Sequence, residues 1–221
     1  MLEWLGPVID EFYTCTEGYG FAWCSAADWL RHKGSVGKPM LGQIEIRSED
    51  GANLPVGTPG VIWFRGSTNF EYFNDPTKTR EAMDPDGNAS TVGDVGYVDE
   101  DGFLYLTDRA SHMIISGGVN IYPQEAENVL ATHPKIADVA VIGVPHEELG
   151  EEVKAVISLE PGVAATHDVA NELIEFCRAR LAHFKCPRSV DFVEDVPRLP
   201  TGKLYKRLLK EKYWKGRSLT G

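Results

Sequence analysis

The sequence predicts an α+β chain with a mainly β first part and an α+β second part, and three observations carry that expectation. Between residues 40 and 107, short alternating or apolar runs are broken by turn residues such as Asp50-Gly51, Pro55, Gly57 and Pro59. After Arg109, helical periodicity begins to interleave with strand-like runs. The charge balance shifts at the same place. Residues 1–108 hold 7 bases and 18 acids, and residues 109–221 hold 15 of each, which marks a domain boundary there.

In chain order, MLEWLGPVIDEFYTCTEGYG reads as the end of a strand followed by a glycine-bearing loop, with nothing before the strand to pair with it. Gln43–Glu49 alternates, with Ile44 and Ile46 on one face, and Gly60–Arg65 is a short apolar run. Asp75-Pro76 is a helix start, with Asp75 as N-cap and Pro76 in the first turn. Val92–Val98 and Phe103–Thr107 are strands joined by the hairpin signature Asp99-Glu100-Asp101-Gly102. His112–Ser116 is a strand leading to Gly117-Gly118, and Pro123 opens a helix carrying Ala126, Val129 and Leu130. Strands follow at Ile136–Val144, Val153–Leu159 and Val190–Val193, with helices at Val169–Leu181 and Lys203–Trp214.

A length of 221 residues suits one large domain or two of ordinary size. With 43% hydrophobic and 25% charged residues, a mostly disordered chain is excluded. No apolar run reaches eighteen residues, so no transmembrane segment is expected. The acidic opening is unlike a signal peptide, and four scattered cysteines without a C-x-x-C pair fit a reducing cytoplasm. A net charge of −11 argues against a nucleic-acid partner. Residues 197–217 nevertheless hold 8 bases and one acid, Glu211, which reads as a solvated helix face or a surface turned towards an anion.

Four short segments could carry chemistry. Thr16-Glu17-Gly18 offers a hydroxyl for phosphate and a carboxylate for Mg²⁺, although alone it is a plain loop. Asp94 follows Gly93 at a strand start, where alone it reads as a turn carboxylate, although its two oxygens could grip a ribose diol. Gly117-Gly118 permits unusual dihedrals or close backbone approach. Thr201-Gly202-Lys203 precedes a basic helix and lacks the spaced glycine of a P-loop.

Their order changes the reading. YTCTEG, VGDVGYVDEDGFLYLTDR, ISGGVNIYPQEAE and VPRLPTGKLYKR together resemble the motifs of the acyl-adenylate-forming superfamily. FEYFNDPTKTREAM and IADVAVIGVPHEELGEEVKAVI are also similar to that family, and the wording is closest to bacterial fatty-acyl-CoA synthetases. The resemblance implies that residues 1–108 are the end of a large N-terminal region, folded as a small β-barrel-like subdomain. Residues 109–221 would be a mobile C-terminal lid. Nothing here resembles the family's Ser/Thr/Gly-rich phosphate loop. The expectation is therefore a C-terminal portion of a longer enzyme, excised by design or by proteolysis, with Met1 internal or vector-derived. Tyr13, Thr16 and Glu17 would then sit on a strand parted from its sheet, and the chain alone would be inactive.

The resemblance implies an ATP- and Mg²⁺-dependent ligase that activates a fatty or related carboxylic acid as acyl-AMP and passes it to CoA. Tyr13 would stack on adenine, with Glu11 at the adenine edge. Thr16 would bind phosphate and Glu17 would hold Mg²⁺. Asp94 and Arg109 would bind the ribose, with Leu106 packed near the nucleotide. Lys203 would be catalytic, bridging acyl carboxylate and α-phosphate. Gly117 and Gly118 would border the pantetheine channel, where side chains would obstruct CoA. Ser111 would be the hinge about which the lid turns. Thr14 and Val92 depart from the family's usual glycine and threonine, and Ser111-His112 departs from its charged hinge. His112 and His183 are read as surface or core histidines. A transfer to a carrier protein, or a non-enzymatic binding module, would use the same motifs.

Overall fold

The computed structural model of the chain describes residues 2–66 and 70–215. Met1 and the last residues of the basic stretch, 216 and 217, lie outside the described residues. The chain forms two compact units, Met1–Ala110 and Ser111–Gly221. No described helix is long and apolar enough to cross a membrane.

The first unit runs α1 (Leu2–Leu5), β1 (Glu11–Thr14), β2 (Phe21–Cys24), α2 (Ala26–Arg31), β3 (Ser35–Leu41), β4 (Gln43–Arg47), β5 (Gly60–Arg65), α3 (Pro76–Glu81), β6 (Ala89–Ser90), β7 (Asp94–Val98) and β8 (Leu104–Arg109). These strands form one sheet in the order β1-β2-β3-β8-β7-β5-β4, with β6 beside β5. The sheet is open, which corrects the barrel-like expectation. β3 changes partner along its length, pairing β2 through Lys38, Pro39 and Leu41 and β8 through Ser35 and Gly37. The register breaks on both sides, and such irregularities bend a strand. Among the described residues β1 and β4 remain the two ends of the ladder.

The unpaired-strand expectation is also corrected. β1 pairs antiparallel with β2, with Tyr13 opposite Ala22, so Tyr13 lies in a hairpin arm whose partner follows the loop. Asp75 does cap α3, accepting from the Lys78 N–H at 3.0 Å, with Pro76 in the first turn. The core of this unit centres on Phe64 and Tyr19, both fully buried, whose rings meet edge to face at 5.1 Å.

A 3-10 turn over Ala110–His112 leads into the second unit, which runs β9 (Ile114–Ser116), β10 (Val119–Ile121), α4 (Pro123–Leu130), β11 (Ile136–His146), β12 (Gly150–Leu159), α5 (His167–Arg178), β13 (Ser189–Phe192) and α6 (Lys206–Tyr213). The sheet order is β10-β9-β12-β11, with β13 parallel to β12. β11 is buried on both faces. Val139 and Val141 pack with Ile114, Leu130 and Leu173, and Ala140, Ile142 and Val144 pack with Val196 and Leu209 of α6. That double burial explains why its sequence is a continuous apolar run rather than an alternation.

Two helix starts differ from the sequence reading. Thr166 caps α5 through Val169 N–H, moving its start ahead of Val169. α6 begins at Lys206 because Gly202 is left-handed (φ +83°) and Leu204 bridges back to Arg198, holding Lys203 outside the helix.

Gly37 has φ +97°, and a Cβ there would lie 1.9 Å from the Trp23 carbonyl oxygen. Gly37→Ala is expected to cost about 2–5 kcal/mol, combining left-handed strain with a backbone clash. Gly51, at φ +84° with open space around it, should cost only about 1–2 kcal/mol when changed to Ala. Urea denaturation of the two variants checks the difference.

Candidate active site

In the first unit the sheet gathers residues that are far apart in sequence. Asp94 opens β7 directly opposite Arg109 at the end of β8. The Arg109 Nε lies 3.1 Å from Asp94 Oδ1, and the Tyr13 hydroxyl donates to Asp94 Oδ2 at 2.6 Å. The Tyr13 and Tyr19 hydroxyls are 2.8 Å apart. Burial, with Tyr19 and Asp94 adding to it, pushes the Tyr13 phenol far above its ordinary pKa. Tyr13 therefore stays a neutral donor that fixes the Asp94 carboxylate. Thr14 closes the following loop by donating to the Gly20 carbonyl at 2.9 Å, which gives the departure at this position a structural use. Val92 packs at the edge of the core.

Glu17 is half-buried at the loop tip and accepts from the Tyr72 hydroxyl at 3.1 Å. Burial opposes its ionisation, but its own backbone N–H, Tyr72 and nearby Lys78 outweigh this and hold its carboxyl below the usual range. The same neighbourhood pushes the Tyr72 phenol up to about 12, through burial first and then Glu17. Thr16 and Glu11 are exposed, and Leu106 is 43% exposed on β8. Among the described residues no group of three or more His, Cys, Asp or Glu is placed to hold a metal. A single carboxylate such as Glu17 still suits Mg²⁺, which is bound through one or two carboxylates plus substrate phosphates.

In the second unit, Gly117 (φ +58°) and Gly118 (φ +79°) form the two-residue turn between β9 and β10. Two left-handed residues in succession are what such a hairpin turn demands. The Gly117 N–H donates to the Leu149 carbonyl at 2.9 Å, and Ser116 pairs with Gly150. The glycine turn is thus pinned beside the β11–β12 corner, where His146 faces Gly150. A Cβ at Gly118 would meet nothing within 4 Å, so backbone conformation is what calls for glycine within this unit.

Lys203 sits at the opposite end of the same sheet. Its turn is closed by Gly202 N–H to Leu199 carbonyl and Leu199 N–H to Lys203 carbonyl, both 2.8 Å. Arg198 binds both oxygens of Asp138, near the start of β11, at 2.7 Å each. From Asp138 to His146 is eight strand steps, or about 26 Å. Ser111 is exposed in the 3-10 turn. His112 is half-buried and His183 exposed.

α6, which follows Lys203, is anchored from below. The Lys206 Nζ lies 2.8 Å from Glu127 Oε1 on α4, both side chains under 10% exposed. The ammonium is off hydrogen-bond alignment, so the contact is chiefly a charge pair. Glu127 also accepts the Val141 N–H at 2.6 Å, and the Trp214 indole N–H donates to the Gly143 carbonyl at 3.1 Å.

Residues 125–203 match the AMP-binding enzyme C-terminal domain family. Over 188 residues the chain is 41% identical to the long-chain-fatty-acid–CoA ligase FadD13 of Mycobacterium tuberculosis strain H37Rv, covering 84% of this chain and 36% of that one. The chain belongs to the acyl-adenylate-forming superfamily. Another superfamily relative, the 2-succinylbenzoate–CoA ligase of Bacillus cereus ATCC 10987, is 38% identical over 93% of this chain and 42% of its own length. The solved o-succinylbenzoate-CoA synthetase of Bacillus subtilis, in complex with its acyl-adenylate intermediate, superposes with a TM-score of 0.79 at 32% identity, over 91% of this chain and 40% of that one. The chain thus spans about two fifths of the length of these superfamily members. Tyr72, Arg198, Lys206 and Glu127 were not singled out from sequence, because what marks each is a partner distant along the chain.

Lys206→Met leaves Glu127 buried without its counter-charge and is expected to cost about 3–5 kcal/mol. Adding Glu127→Gln, which keeps an acceptor for Val141 N–H, should recover most of that loss. Chemical denaturation of the single and double variants measures it.

Proposed function

We propose that this chain is the C-terminal part of an ATP- and Mg²⁺-dependent acyl-CoA ligase acting on a fatty or related carboxylic acid. The observation that carries the reading is the placement of the Lys203 turn and the Gly117-Gly118 turn at opposite ends of β11, tied to Asp138 and to the His146 corner, positions about 26 Å apart along the strand. One body cannot bring both to a single reaction centre at once. A two-step reaction, adenylation and then thioester formation, gives each its own step.

In adenylation, the Asp94 carboxylate accepts the ribose hydroxyls with its remaining lone pairs, held by Arg109 and by Tyr13, which at 7% exposure fixes this carboxylate instead of stacking on adenine as its motif implies. Glu17 would hold Mg²⁺, which supplies charge neutralisation at the phosphates. Thr16 is an exposed hydroxyl available to phosphate, and Glu11 and Leu106 border the nucleotide. Lys203, exposed on its turn, lies between the acyl carboxylate and the α-phosphate. Negative charge concentrates as the carboxylate attacks, and one ammonium stabilises it without forming a covalent bond. Pyrophosphate leaves, and acyl-AMP remains. Rotation about Ser111 then exchanges the Lys203 turn for the glycine turn, whose surface carries no side chains to obstruct a pantetheine arm. The CoA thiol attacks the acyl-adenylate and AMP departs. On this reading the 221 residues alone, without a phosphate loop or acyl pocket, are inactive.

In the full-length ligase, Lys203→Ala should slow adenylation about 10²–10³-fold. Lys203→Arg should rescue it poorly, because a planar fork does not replace a compact ammonium. Preformed acyl-adenylate and CoA should still give thioester at the wild-type rate. An equal fall in both steps would sink the assignment of Lys203 to adenylation.

A further inference from the structure

We propose that Arg198 is a positioning residue that aims Lys203, acting through the backbone of the turn between them; this rests on the adenylation role given to Lys203 above. The Arg198 guanidinium commits three donors. Nε and Nη2 bind the two oxygens of Asp138 at 2.7 Å each, and Nη1 donates to the Gly202 carbonyl, also at 2.7 Å. Gly202 is the residue immediately before Lys203. Asp138 is fixed in turn, since its Oδ1 accepts the Val139 N–H at 2.9 Å on β11. A continuous path of short contacts therefore runs from the buried strand, through a carboxylate and a planar fork, to the peptide that carries Lys203.

The exposure of the pair decides between a stabilising and an aiming role. The Arg198 side chain is 44% exposed and that of Asp138 28%. Exposed ion pairs contribute modestly to folding, and a bidentate one stands at the upper end of their range. What the bidentate fork supplies is direction, because its planar donors accept few other geometries. The turn has left-handed backbone at Gly202 and a further tie from the Tyr205 N–H to the Pro197 carbonyl. Those ties close the turn on itself, and Arg198 joins it to β11. Lysine at position 198 could keep one charge contact but not three directed ones.

The test uses the full-length ligase with Arg198→Ala, Arg198→Lys, Asp138→Ala and the Arg198→Ala/Asp138→Ala double variant. Arg198→Ala should slow carboxylate-dependent pyrophosphate release about 10–100-fold, as a displaced catalytic group does. Thioester formation from supplied acyl-adenylate and the thermal midpoint should both stay near wild type. Arg198→Lys should fall between, and the double variant should be no worse than Arg198→Ala alone, since that change already removes both the Asp138 and the Gly202 contacts. In the 221-residue chain, amide exchange at Leu199 and Gly202 should quicken in Arg198→Ala, with β11 and β12 unchanged. Adenylation at the wild-type rate, a parallel fall in both half-reactions with a lowered melting point, or unaltered exchange at Leu199 and Gly202 would each overturn the proposal. Lys203→Ala with undiminished adenylation would instead remove the reading of Lys203 itself.

Discussion

The second unit depends on a strand of fixed length. β11 runs eleven residues from Ile136 to His146 and is covered on both faces. Its ends cannot approach each other without unfolding the unit. The glycine turn is tied by backbone hydrogen bonding to the corner at the His146 end, and the lysine turn is tied by a guanidinium to Asp138 at the other. Any chemistry that needs both turns must use them in succession. The separation follows from strand rise per residue, which packing can alter very little.

What keeps β11 in place is the contrast between its faces. One side is apolar throughout and receives α4 and α5. The other receives α6, and a charge pair, Lys206 of α6 with Glu127 of α4, links the helices that cover the two faces. Such a pair is a poor source of stability compared with hydrophobic packing. It does restrict register: α6 shifted by a turn would leave two buried charges apart, and the Tyr213–Asp191 and Trp214–Gly143 hydrogen bonds would part with it. In the first unit the corresponding device is the Tyr13–Asp94–Arg109 set, which joins β1, β7 and β8 through one carboxylate.

Features set by local chemistry were legible in the sequence. The Asp75-Pro76 helix start, the Gly60–Arg65 strand and the Asp99–Gly102 hairpin corner all act within a few residues, and Asp99 accepts the Asp101 and Phe103 N–H groups as a turn aspartate should. Features set by distant partners were not. Phe21–Cys24 and Ser35–Leu41 are strands because of β1 and β8, and the second contains Gly37 and Pro39, which argue against a strand when read alone. The same division holds for the candidate site. Asp94, Glu17 and Lys203 stand out through their motifs, whereas Arg198 becomes visible only with its partner 60 residues away.

The central claim is that the second unit turns about Ser111 so that its two ends serve successive steps. The most direct measurement is of both half-reactions in the full-length ligase carrying Ser111→Pro, which fixes φ and removes a donor at the pivot. The account predicts that one half-reaction persists while the other is lost, as one orientation is trapped. Both half-reactions running at wild-type rates would contradict it.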